Sequence, residues 1–210
     1  MADQNSASNF IPLLNLAPSE CELTQQAERN LNSLKQTGEL EPLGLEFLET
    51  LRKKLPAKAK LNRLKRIADK MSKVVTPKSA CRGGCSHCCN ISAVITQTEA
   101  NAMAEASGRK VIKLEGRQPP TEDIVKKWFR VPCPFLVKGR CSVYAERPIV
   151  CRLQFNVSDD PYYCNTAIEP EDSFVTYLNL TQLQQGYMMA FIQEPWGDIR
   201  DFFPPARDKI

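Results

Sequence analysis

Four cysteines stand within nine residues of one another, in the order Cys81-Arg82-Gly83-Gly84-Cys85-Ser86-His87-Cys88-Cys89. Four more follow at wider spacing: Cys133, Cys141, Cys151 and Cys164. The chain of 210 residues holds nine cysteines against one histidine, and only Cys21 lies outside this set. A chain of this length buries a core without needing disulfides. Its N-terminus, Met-Ala-Asp-Gln-Asn, has no basic stretch followed by an apolar core, so no secretory leader is read there. No run approaches the roughly 18 apolar residues of a membrane helix. The expected location is the cytoplasm, away from membranes, and in a reducing compartment clustered thiols read as metal ligands or catalytic groups.

The spacing suits a metal for a physical reason. Thiolates two to four residues apart on a tight loop converge on one ion without straining the backbone. Gly83 and Gly84 allow the loop to curl through positive φ. Arg82 and nearby N–H groups favour the thiolate form. The second set of cysteines then closes the shell from another part of the fold. Neighbouring side chains diverge, so Cys88 and Cys89 fit one mononuclear tetrahedron poorly. They are easier to satisfy when split between two centres, or when only one reaches an iron–sulfur cluster. Eight cysteines supply two four-thiolate sites, or one cluster with thiols to spare. Cys133-Pro134 matches the Cys-Pro ending of ferredoxin-type runs. Iron–sulfur is therefore the first choice of cofactor and zinc the second. His87, inside the loop, is a ligand, a proton donor or an outer partner of the ligands.

Charge divides the chain. Residues 1–51 carry eight acids and two bases, residues 52–78 eleven bases and only Asp69, and residues 79–210 fifteen of each. The net +4 is the remainder of −6, +10 and zero. Charge and cysteine content both change near Pro77. That places a charged helical extension at 1–78 and a cysteine-rich domain at 79–210.

Local signals predict a mainly α protein with little β, organised around the cysteine loop. Residues 1–20 are read as poorly ordered. Ser19 or Thr24 starts a helix to about Gln36, ended by Gly38. A second helix is expected over 43–55 before Pro56, and a third over 57–75 with Leu61, Leu64, Ala68, Met71 and Val75 as one apolar stripe. Residues 91–96 are extended. Thr96 and Glu99 form a capping box for a helix to Ser107, stopped by Gly108. Residues 111–114 are extended and Pro119-Pro120 is a loop. Thr121 caps a helix to Trp128. Residues 131–141 form a loop or hairpin, Ser142 opens a short helix, and a long helix runs over 172–193. The tail from Trp196 to Pro205 packs over the body.

Several segments together resemble a known pattern: Cys85-Ser-His-Cys88-Cys89, Cys133-Pro134-Phe135-Leu136, Gly139-Arg140-Cys141-Ser142-Val143-Tyr144 and Arg147-Pro148-x-x-Cys151-Arg152. They resemble the CxxCxxCC cysteine-cluster family, also called YkgJ-like and described as zinc- or iron-chelating, over roughly residues 79–165. The first gap is three residues where the family name implies two. The resemblance implies that Cys85, Cys88, Cys89, Cys133, Cys141 and Cys151 bind metal, with Cys81 joining them and Cys164 as an extra ligand. It also marks Tyr144, Arg147 and Arg152. The two arginines either donate to cluster sulfurs, pair with an acidic substrate group, or form a buried ion pair that fixes the loop.

Three functions follow. The first is a cytoplasmic metalloprotein, its centre structural, sensing, or transferring electrons or metal. The second is an enzyme that modifies a protein or peptide with S-adenosylmethionine, by analogy with flagellin lysine N-methylase, which carries a similar cysteine domain. Cys81-x3-Cys85-x2-Cys88 also matches the radical S-adenosylmethionine triad, but the strand–helix alternation of those enzymes is lacking. The third is an adaptor that binds an acidic partner through basic helix 57–75. Its bases have no interleaved aromatics, which disfavours nucleic acid without removing it. No phosphate-binding glycine loop is present, and a lone histidine within the cluster argues against a serine or cysteine triad, while any cysteine that binds no metal stays available as a nucleophile.

Overall fold

The structure, a computed structural model, describes residues 17–118 and 121–204. The expectations for residues 1–16, the Pro119-Pro120 loop and Pro205 lie outside those residues. The described chain is mainly helical with little strand, as its patterning predicts.

Three helices lead. Ser19 starts α1 (Glu20–Thr37) with a capping box: its Oγ accepts the Glu22 N–H at 3.3 Å while the Glu22 carboxylate accepts the Ser19 N–H at 2.8 Å. Gly38, at φ 64°, ends it. The second helix, α2 (Leu40–Arg52), lies three residues earlier than the expected 43–55. Pro42 is accommodated in its first turn, where a missing N–H costs no intrahelical bond. The third, α3 (Ala57–Val75), has its predicted bounds, and its whole predicted stripe is buried together with Ile67.

The remainder is built from short elements. β1 (Val94–Thr96) leads into α4 (Gln97–Ser107) through the predicted Thr96–Glu99 box, and Gly108 ends the helix at φ 69°. Thr121 caps α5 (Glu122–Trp128). β2 (Leu136–Val137) and β3 (Arg140–Cys141) form the hairpin. Its turn residues, Lys138 and Gly139, both take positive φ, the mirror-image geometry that follows strand twist. The helix expected from Ser142 is a 3₁₀ turn at Tyr144–Glu146, followed by the unpredicted α6 (Ile149–Arg152).

The long helix expected over 172–193 is corrected to α7 (Thr181–Ala190). Its first part is extended instead: the Val157 N–H donates to Thr176 O at 2.8 Å and the Leu178 N–H to Phe155 O at 3.0 Å. Helical periodicity in that stretch loses to pairing with residues 155–157. Finally β4 (Trp196–Asp198) pairs antiparallel with β1, and α8 (Ile199–Phe202) follows. The tail does pack on the body, with Phe202 and Phe203 buried alongside Phe135.

One apolar cluster gathers Phe47 of α2 and Leu61, Leu64, Ile67, Ala68 and Met71 of α3 with Ile149 and Leu153, which flank Cys151, and with Leu183, Tyr187 and Phe191. Several of α3's bases are held within the chain. Lys65, itself buried, meets Glu146 at 2.6 Å and Lys58 meets Glu105 at 2.7 Å, while Lys60 donates to Leu51 O at 2.9 Å. Among the described residues, no helix is long and apolar enough to cross a membrane.

Candidate metal centre

All nine cysteines carry free thiols. The eight beyond residue 80 face two adjoining cavities. The larger, about 570 Å³, is bordered by Cys85, Cys88, Cys89, Cys133, Cys141 and Cys151. The smaller, about 360 Å³, is bordered by Cys81, Cys85, Cys88 and Cys164. Cys21 is exposed on α1 and borders neither.

Local backbone explains this placement. Gly84 takes φ 90°, turning the chain between Cys81 and Cys85, whereas Gly83 keeps an ordinary φ, contrary to the pairing expected for both glycines. Residues His87–Asn90 then form a 3₁₀ turn. The Cys133 N–H donates to Cys89 O at 2.7 Å, which fastens the second cysteine segment to the first loop. Cys141 stands on the hairpin opposite Leu136. Cys151 is carried by α6, whose start is fixed by Glu99: this buried carboxylate accepts the Ile149 N–H at 2.8 Å and the Thr96 N–H at 2.9 Å.

The other marked residues separate. His87 borders the smaller cavity. Tyr144 and Arg147 border the larger one, with the guanidinium 4.3 Å from the Tyr144 ring centroid and Nη2 3.5 Å from Ser72 Oγ. Arg147 Nε is buried with no hydrogen-bond partner. Arg152 borders neither cavity. It is 2% exposed, pairs with Asp69, and donates to Arg147 O at 2.8 Å and Ala145 O at 2.6 Å. That is the geometry of an ion pair fixing the loop. Arg82 donates to Asp159 O at 3.2 Å, on the exposed side.

Two features were not legible in the sequence. Asn156, 3% exposed, donates its backbone N–H toward Cys81 Sγ at 3.5 Å and its side-chain amide to Cys164 Sγ at 3.3 Å. Asp198 and Arg200, both at most 1% exposed, form an ion pair in which Arg200 Nη1 donates to Asp198 Oδ1 at 2.9 Å and Oδ2 at 3.2 Å. Arg200 also reaches Cys89 O at 3.2 Å, Ile91 O at 3.1 Å and, through Nε, Val131 O at 2.9 Å. Asp198 accepts from Ala93 N–H at 2.7 Å and Ser92 Oγ–H at 2.9 Å. Arg200, on the wall of the larger cavity, thereby ties the segment of Cys89 to that leading into Cys133.

Five of the thiols, Cys81, Cys88, Cys133, Cys151 and Cys164, hold their protons more tightly than usual. Burial raises Cys151 far above the ordinary thiol range, and neighbouring thiolate charge on Cys88 and Cys133 adds to it. Burial also raises Cys81 and Cys133, and pushes Cys164 up to about 11 against the Asn156 hydrogen bond. Cys88 is raised chiefly by its hydrogen bond with Cys89. Among the described residues, no three His, Cys, Asp or Glu side chains already converge to hold one ion. The donor set nevertheless fits zinc or iron: soft thiols alone, walled in by two cavities, whose mutual repulsion as thiolates a cation relieves. The fit is in chemistry and enclosure, and binding would draw the thiols together.

A pH dependence follows. Cys81, Cys88, Cys133, Cys151 and Cys164 hold protons more tightly folded than unfolded. The metal-free fold gains stability below the ordinary thiol pKa of about 8.5. It loses that gain as pH rises toward the folded values, about 11 for Cys164. Thermal melts of chelator-treated protein should show midpoints falling with pH across this window, with a smaller fall in Cys164→Ser.

The site defines a thiol-rich domain with the donor chemistry of a metal chelator. Residues 80–172 match the family model CxxCxxCC, described as "Putative zinc- or iron-chelating domain". The match spans under half of the chain and leaves out the three leading helices and Arg200. No curated protein and no solved structure matches the chain.

Proposed function

We propose that the protein is a cytoplasmic metalloprotein whose clustered thiols hold an iron–sulfur cluster, with zinc as the alternative occupant. The observation that carries this reading is the gathering of six motif cysteines around one cavity, although they come from four separate segments. Cys85, Cys88, Cys89, Cys133, Cys141 and Cys151 are the residues that would hold metal there, with Arg147's unpartnered Nε available to donate to a sulfur. The all-thiol set and Cys133-Pro134 favour iron–sulfur. Bound zinc supplies a cross-link between segments, and a cluster adds one-electron transfer.

Metal analysis of anaerobically purified protein tests the reading. Brown protein with iron and labile sulfide is the expected result, and stoichiometric zinc would replace the cluster by a structural site. Colourless, metal-free protein with all eight thiols reactive would reject both.

A further inference from the structure

The eight thiols are not arranged as one group. Asn156 joins Cys81 to Cys164 by N–H···S hydrogen bonds from its own backbone and side chain, 3.5 and 3.3 Å long. Such bonds orient thiolates around metals and tune them. Neither cysteine borders the larger cavity; both border the smaller one. Conversely Cys89, Cys133, Cys141 and Cys151 border only the larger one. Cys85 and Cys88 lie on the wall between, bordering both.

The cavities divide the adjacent pair in the same way. Cys88 and Cys89 occupy successive positions of the 3₁₀ turn His87–Asn90. With about three residues per turn, successive side chains point about 120° apart. Their thiols nonetheless hydrogen-bond each other, so the division rests on the cavities: Cys89 borders only the larger one, and Cys88 also reaches the smaller. Cys85 and Cys88, separated by two residues, make the chelating pair that Cys81 and Cys164 lack.

We infer that the chain builds two four-thiolate metal positions: Cys81, Cys85, Cys88 and Cys164 about the smaller cavity, and Cys89, Cys133, Cys141 and Cys151 about the larger. The inference rests on the metal-binding reading above and adds a second centre to it. Four thiolates complete either a zinc site or a 4Fe–4S cluster. Each thiol gives up its proton to solvent as it binds, and no electron moves.

Cobalt(II), added anaerobically to the chelator-treated full chain, tests the division through its thiolate charge-transfer absorption. The unaltered protein should bind two equivalents. Cys81→Ser combined with Cys164→Ser should retain one, and Cys141→Ser combined with Cys151→Ser should retain the other. Circular dichroism checks that each variant folds. Alkylation of the unaltered protein at rising cobalt, read by mass spectrometry, gives the same answer without substitutions: two blocks of four cysteines should become protected. One equivalent in all, abolished by either double substitution, would overturn the division but leave the metal-binding reading standing. So would protection of all eight thiols in one step at the first equivalent. No cobalt uptake by any form would overturn both.

Discussion

Replacing Arg200 by alanine should cost about 3–5 kcal/mol of stability, the range seen when one partner of a buried ion pair is removed. The variant leaves Asp198, wholly buried, without its cation. It also strips the carbonyls of Cys89, Ile91 and Val131 of their shared donor. Lysine cannot replace the forked guanidinium, so Arg200→Lys should recover only a fraction. Denaturant unfolding checks the magnitude. A loss below about 1 kcal/mol, the value of an exposed pair, would show that the pair does not fasten the cysteine segments.

Replacing Phe47 by alanine should cost a similar about 3–5 kcal/mol, the sum of lost burial and the void left behind. Phe47 lies in α2, far in sequence from any clustered cysteine, yet is completely buried. Its cluster includes Ile149 and Leu153 on either side of Cys151. The loss should therefore be felt at the thiols. Circular dichroism and the onset of Cys151 alkylation should shift together, in one transition. If alkylation of Cys151 kept its original midpoint while helicity fell, the leading helices would be melting on their own.

Where the sequence is legible, the signal is local. Ser19, Gly38, the Thr96–Glu99 box, Gly108 and Thr121 each act within one helical turn, and each stands where it was read. The α3 stripe is equally plain, since every apolar residue of the face has somewhere to be buried. Reading failed where distant partners decide. Residues 174–180 have helical spacing but are held extended by 155–157. Within the site, the cysteines announced themselves by type and spacing. Asn156 and Arg200 did not, because nothing in the chain around them differs from an ordinary polar residue. Their importance comes from contacts 75 residues away, Asn156 to Cys81, and 111 residues away, Arg200 to Cys89.

The Asp198–Arg200 pair has a consequence for the order of events during synthesis. Every clustered cysteine precedes it in the chain, Cys164 being the last of them. As the polypeptide leaves the ribosome, the thiols are therefore all present before the residues that lock their segments have been made. A metal delivered in that interval meets cysteines on loosely held loops, and the pair closes behind it. Metal delivered later has to enter a fold that is already fastened. Loading rate, measured on released chains that end between Cys164 and Asp198 and on the full chain, would then be faster for the shortened chains.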